Sequence, residues 1–224
     1  MLKIGEVKIP EDGDFEFIKS FALETKDWSL EYEKNTVKVW TRRNELSSFN
    51  IIKAKADFND LSSRVLYDVL HDSEYRSTWD DRMIEGHDIC SVSINSDIGY
   101  YSAKSPKPFK NRDFVTQRCW LDYGDNRDKI IFNHSVNHVK YPPKKGIVRA
   151  LSYLTSSYIV SNGKNSCTLY YITQSDPGGS LPAWIVNMAS KVFAPKLMKK
   201  LYKASLKYDK WKVRVDLKKK TINK

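Results

Sequence analysis

What this chain has little of narrows it first. Three cysteines, Cys90, Cys119 and Cys167, stand singly in strand-like segments among 224 residues. That spacing excludes a disulfide framework and a zinc cluster, and it points to buried, reduced thiols. No apolar stretch nears the roughly 18 residues that span a bilayer. The opening MLKIGEVKIPEDGDF lacks the apolar core of a secretory signal, so a cytoplasmic chain is expected. Nine glycines and eight prolines form no linker or repeat array, and one domain is expected. Catalytic signatures are missing too: there is no HExxH, GxSxG, P-loop or CxxC. Of the four histidines, only His134 and His138 are neighbours. On a strand they would share a face, which permits a metal site without requiring one. Asp80 and Asp81 are adjacent, would point apart, and make a poor acid–base pair. Neither an enzyme activity nor a cofactor or metal is expected.

What is present is a core and a strong charge bias. Hydrophobic residues make up 41% and aromatics 12%, enough for a packed interior. The net charge is +11, and much of the excess lies between Lys191 and Lys224. The end, VRVDLKKKTINK, has no aromatic residues to stack on bases, so nucleic acid is not the expected partner. An anionic membrane surface, touched transiently, suits the charge better; a merely solvated basic face is the alternative.

The pattern along the chain reads as helix, strands, helix, more strands, helix. Asp14 to Thr25 is amphipathic, with Phe15, Ile18, Phe21 and Ala22 on one side. A hairpin turning at Lys34-Asn35 and a strand over Phe49 to Phe58 follow. Asp60 is the expected cap of a helix carrying Leu61, Val65, Leu66, Val69 and Leu70, and a short helical turn follows near Trp79. Strands are expected near 83–94, 98–104, 112–122, 129–137, 147–160 and 166–174, joined by tight turns and therefore antiparallel. Pro177-Gly178-Gly179 marks a turn, Ser180 a helix cap and Pro182 a first helical turn. From there Leu181, Trp184, Ile185, Met188, Val192, Leu197, Leu201 and Leu206 recur near three- and four-residue spacing. Lys191, Lys196, Lys199, Lys200, Lys203 and Lys207 gather opposite. Pro195 falls inside this pattern and predicts a bend, because it lacks a backbone donor. The whole is expected to be α+β: a long curved antiparallel sheet with helices on one side. Two connections, KSPKPFKN (104–111) and HVKYPPKKG (138–146), are too long for tight turns and carry Phe109 and Tyr141. Along the strands, alternation puts Gly99, Tyr101 and Ala103 on one face. It does the same for Arg112, Phe114, Thr116 and Arg118, and for Arg149, Leu151, Tyr153, Thr155 and Ser157. Rings beside small hydroxyl residues suit either a cavity wall or ordinary sheet core.

The segment DPGGSLPAWIVN and its long helix resemble the last strand and lid helix of START (StAR-related lipid transfer) domains. YRSTWD (75–80), NRDFV (111–115), KYPP (140–143) and YKASLKY (202–208) agree with it in order and spacing. The resemblance is strongest to the phosphatidylcholine-transfer subgroup. It covers residues 15–212, leaving an extension at 1–14 and a basic tail at 213–224. It implies a helix-grip fold enclosing one phospholipid, and a monomer that exchanges that lipid between membranes. It further implies Arg76 and Asp80 at the lipid phosphate, and Tyr101, Phe114 and Tyr153 around a choline ammonium. Thr155 stands where those relatives have glutamine, and Leu70 where they have a polar residue, so ethanolamine lipid becomes a second expected ligand. The resemblance implies a gate built from the 104–111 loop with Phe109 and from the lid with Trp184 and Pro195. Lys196, Lys199, Lys200 and Lys203 are its expected membrane contacts. A lipid sensor acting through a partner protein, and a hydrolase or cyclase on a related fold, remain the alternatives.

Overall fold

The computed structural model describes residues 3–44, 47–179, 185 and 188–222. The helices are α1 (Asp12–Leu23), α2 (Ser63–His71), α3 (Ser73–Trp79) and α4 (Ala194–Ile222). The strands are β1 (Ser29–Lys34), β2 (Val37–Asn44), β3 (Ser47–Phe58), β4 (Met83–Ser93), β5 (Ser96–Ala103), β6 (Arg112–Asp122), β7 (Lys129–Ser135), β8 (Val148–Arg149), β9 (Leu151–Ser161) and β10 (Cys167–Asp176). One open sheet runs β1-β2-β3-β10-β9-β7-β6-β5-β4, and every pairing along it is antiparallel. The expected single strand at 147–160 is broken instead: Ala150 separates β9 from β8, which pairs parallel with β6.

The sheet buries both faces, and this corrects the expectation of helices on one side. Val39, Ala54, Ala56, Phe58, Ile131, Ile159 and Leu169 pack against α2 and α4 on the inner face. Ile51, Ile130, Phe132, Leu154, Tyr158 and Ile172 pack against Phe15, Ile18 and Ala22 of α1 on the outer face. Strand alternation explains the split, since neighbours such as Ile130 and Ile131 point to opposite sides. Of the cysteines, Cys119 and Cys167 are buried, and burial pushes their thiols up to about 11 and 12; Cys90 is exposed on the edge strand.

Local capping differs from expectation in one place. Ser62, rather than Asp60, caps α2, accepting from the Val65 amide at 3.3 Å. Asp60 instead receives the Tyr202 hydroxyl at 2.6 Å and so helps to dock α4. Asp72 caps α3 and also accepts the Tyr208 hydroxyl at 3.0 Å, while Tyr75 donates to the Ala204 carbonyl at 2.8 Å. The tyrosines of YRSTWD and YKASLKY thus fasten the last helix over the inner face.

At Pro195, where a bend is expected, the structure has a change of helix type. A π-helical turn, Ala189–Phe193, immediately precedes α4, and Pro195 is the second residue of the α-helix. Widening the turn accommodates a residue with no amide to donate. Ala194, Met198, Leu201, Ala204, Ser205 and Tyr208 are buried from there on, but Leu206 is 52% exposed. Three- and four-residue steps from Leu201 lead to Ala204, Ser205 and Tyr208, so the long hydrophobic residue at 206 falls outside the inward stripe. Ser180, Leu181, Pro182 and Trp184 lie outside the described residues.

Candidate functional site

Between α3, β5, β10 and α4 lies a cavity of about 680 Å³. Ile52, Ala103, Tyr171, Phe193 and Leu197 give it apolar walls, and Arg76 and Asp80 bring charge to it. Both charged residues come from α3 and its C-terminal residue, four positions apart and so on one helix face. Arg76 Nε donates to Asp80 Oδ2 at 3.1 Å, and the Tyr101 hydroxyl donates to the same oxygen at 2.9 Å. The guanidinium also lies over the Tyr101 ring, 4.4 Å from its centre. Burial opposes its charge, but the Tyr101 hydroxyl and the Asp80 carboxylate outweigh that and hold Arg76 above the ordinary arginine value. Burial likewise pushes the Tyr101 phenol up to about 12. The Arg76 side chain is 42% open although it sits deep in the molecule, because the space in front of it is the cavity. Its Nη1 and Nη2 donate no hydrogen bond to a described residue. Asp81, Arg82, Lys104, Lys196 and Lys200 also border the cavity, so it joins apolar walls to a charged rim. A fixed cation with a free bidentate edge facing such a cavity suits an anionic group on an amphiphile.

A smaller chamber of about 110 Å³ continues beyond Arg76 and Tyr101, with Leu70, Gly99, Thr116, Arg118 and Asn133 in its wall. Tyr101 and Phe114 are direct neighbours across β5 and β6, their ring centres 6.4 Å apart. The structure does not bring Tyr153 to them. Along β9, Leu154 pairs with Gln174 and Ser152 with Ser175, so Tyr153 is the extra residue of a β-bulge. A bulge reverses the alternation beyond it. Tyr153 therefore lines a small depression beside α1 with Phe17, Ile18 and Leu154. Ser152 takes the inward place and bonds to Thr155 at 3.1 Å. Thr155 stays on the inner face, opposite Asn133 and Thr173. The expectation of a three-ring cage with Tyr153 is corrected on this geometry.

The NRDFV motif explains itself here. Asp113 is fully buried and holds Arg149 through two bonds, 2.9 and 3.0 Å. Arg112, 7% exposed, has no carboxylate partner among the described residues. It donates to the Pro177 carbonyl at 2.9 Å, the Gly178 carbonyl at 3.0 Å, the Lys110 carbonyl, and Ser105 Oγ at 3.4 Å. Burial lowers its pKa. Arg112 thus ties the 104–111 loop to the turn that leads into the last helix. Gly178, at φ +64°, is required in that turn: a Cβ there would meet the Arg149 carbonyl oxygen at 3.1 Å. Sequence alternation placed Arg112 on a strand but carried no signal for this tie, which depends on two loops meeting.

The gate residues separate into different environments. Phe109 is half-buried within the loop, its amide bonded to the Pro106 carbonyl at 3.0 Å. Lys196 and Lys200 border the large cavity, and Lys200 is also paired with Asp81. Pro195 and Lys199 line a separate hollow of about 380 Å³ between α4 and the β1–β2 turn, and Lys203 is exposed. His134 and His138 part company: His134 bonds to the Glu6 carbonyl at 2.9 Å, and His138 lies in the loop after β7. No group of three or more His, Cys, Asp or Glu side chains is placed to hold a metal among the described residues. No described helix is long and apolar enough to cross a membrane.

An inner-face cavity roofed by a C-terminal helix on an open antiparallel sheet defines the helix-grip class of lipid-binding domains. The chain belongs to the START family, whose domain model matches residues 9–212. It is 47% identical over 207 residues to START domain-containing protein 10 of Mus musculus, covering 92% of this chain and 70% of that protein. It is 30% identical to the Phosphatidylcholine transfer protein of Mus musculus, covering 84% of this chain and 88% of that one. The crystal structure of human STARD10 superposes with a TM-score of 0.88 at 47% identity, over 93% of this chain and 84% of that one.

Proposed function

We propose that this chain is a cytoplasmic phospholipid-transfer protein. It holds one glycerophospholipid, phosphatidylcholine and also phosphatidylethanolamine, and exchanges it between membranes. The observation that carries this reading is Arg76: a half-buried cation, neutralised on one edge by Asp80 and open on the other to a cavity with apolar walls. In this reading Arg76 meets the lipid phosphate, and Tyr101 and Phe114 lie on the headgroup side. The name and likeness of the Phosphatidylcholine transfer protein favour the same ligand class. The physical need is plain: exposing two chains of about 16 carbons to water costs on the order of 25 kcal/mol at about 0.8 kcal/mol per methylene. A protein that encloses both chains removes that barrier.

Native mass spectrometry of the protein purified from cells is expected to show one added glycerophospholipid per monomer. A bound sterol, ceramide or carotenoid overturns the reading.

Opening at a membrane calls for a surface that senses one, and the exposed lysines of the last helix supply it, each worth about 1 kcal/mol near anionic lipid. Reversing Lys196, Lys199, Lys200 and Lys203 to glutamate is expected to slow transfer from anionic vesicles by tenfold or more, while detergent-presented lipid still binds. Salt should slow the wild type in the same direction, since charges are screened within about 10 Å at 0.1 M. Normal transfer by the reversed variant at low salt places the membrane contact elsewhere.

A further inference from the structure

Arg76 is not the only donor left open beside the small chamber. Arg118, although it lines that chamber, has every nitrogen engaged: they go to Asp97, to Asp88 at 3.4 Å and to the His71 carbonyl at 3.0 Å. Asn133, opposite Arg118 on the neighbouring strand, is different. Ser152 Oγ donates to Asn133 Oδ1 at 3.3 Å. A hydroxyl has one proton to give. With that proton used, Ser152 must accept from Thr155 at 3.1 Å, Thr155 from Thr173 at 3.0 Å, and Thr173 from Ser175 at 3.4 Å. Four hydroxyls on β9 and β10 therefore form one directed chain that ends on the amide oxygen of Asn133. The amide nitrogen is left with two N–H donors and no described partner, in the wall of the chamber that Arg76 also lines. Each hydroxyl in such a chain polarises the next, and the amide at its end is held in one orientation.

We infer that Asn133 is a second donor to the lipid phosphate, converging with Arg76, and that Thr155 is a positioning residue acting through the hydroxyl chain. This rests on the proposed phospholipid reading. It explains why a ladder of hydroxyls crosses the inner face of the sheet at this chamber. Thr155 does not touch the phosphate; it fixes which end of the Asn133 amide does. The β9 bulge is part of the device, because it turns Ser152 inward where regular alternation would place Tyr153.

The experiment measures uptake of phosphatidylcholine and of diacylglycerol with the same acyl chains from vesicles by the full chain, with unfolding midpoints recorded alongside. Asn133→Leu is expected to lower phosphatidylcholine uptake by about tenfold or more, the range of a hydrogen bond to a charged group. The midpoint should hold, and the preference should move toward diacylglycerol. Asn133→Asp keeps the shape and the acceptor for Ser152 while replacing the donors with a carboxylate that repels phosphate, and a larger loss is expected. Thr155→Val should lower phosphatidylcholine uptake severalfold and Thr155→Ser restore it. Phosphatidylcholine uptake by both Asn133 variants within twofold of wild type overturns the assignment, as does an unchanged ratio between the two lipids. Wild-type uptake by Thr155→Val overturns the positioning role. If the wild-type chain takes up no phospholipid at all, the functional reading itself falls and this assignment with it.

Discussion

Arg76→Ala is expected to cut phospholipid uptake by roughly 10- to 150-fold while leaving the protein folded. The guanidinium has its Nε on Asp80 and its remaining edge toward the cavity. Hydrogen bonds to a charged group are worth about 1.5–3 kcal/mol, and every 1.4 kcal/mol is tenfold. The loss has a second part. Without the arginine, Asp80 keeps, among the described residues, only the Tyr101 hydroxyl and the Arg82 amide as donors, and its carboxylate then faces an incoming phosphate. Adding Asp80→Asn to Arg76→Ala should therefore recover part of the uptake, although neither residue's bond to the other survives. Fluorescent-lipid uptake from vesicles checks both variants, with the unfolding midpoint as the control for fold. Extraction at the wild-type rate by Arg76→Ala would remove Arg76 from the site.

The largest expected effect on stability belongs to Asp113→Ala. Asp113 is fully buried and meets Arg149 through two nearly parallel bonds, and Arg149 also donates to the Tyr141 carbonyl at 3.1 Å. Removing one partner of a buried pair costs about 3–5 kcal/mol, because the remaining charge is stranded. The surviving bond to Tyr141 favours the lower end. For a domain of this size 1 kcal/mol moves the midpoint by about 2–4 °C, so a fall of about 10 °C is expected by calorimetry. The double variant Asp113→Leu/Arg149→Met should fall less than the sum of its parts, since it strands no charge. A shift under 3 °C for Asp113→Ala shows that the pair does not hold the β6–β8 junction together.

The two substitutions test different consequences of neighbouring motifs. In YRSTWD the resemblance to START domains implies the pairing of Arg76 with Asp80, and the helix spacing sets the two side by side. In NRDFV the spacing says only that Arg112 and Asp113 point to opposite faces of a strand. The turn that Arg112 meets lies 66 residues away and the arginine that Asp113 meets lies 36 away.

The sequence by itself determined the family, the order of helices and strands, and the turn at Pro177-Gly178-Gly179. All of these rest on interactions within a few residues: alternation, helical spacing and glycine's access to positive φ. Only the tertiary structure decided which face each strand residue takes after the β9 bulge. One added residue moved Tyr153 to α1 and Ser152 inward, and no local rule announces where a ladder of hydrogen bonds will skip. Only it could put α1 on the outer face, free Asp60 from its expected cap to hold Tyr202, and gather Asn133, Thr155 and Thr173 into one directed chain. Those outcomes are set by which strands lie side by side, and strand order in a sheet is fixed by the packing of the whole chain on two faces rather than by any stretch of it.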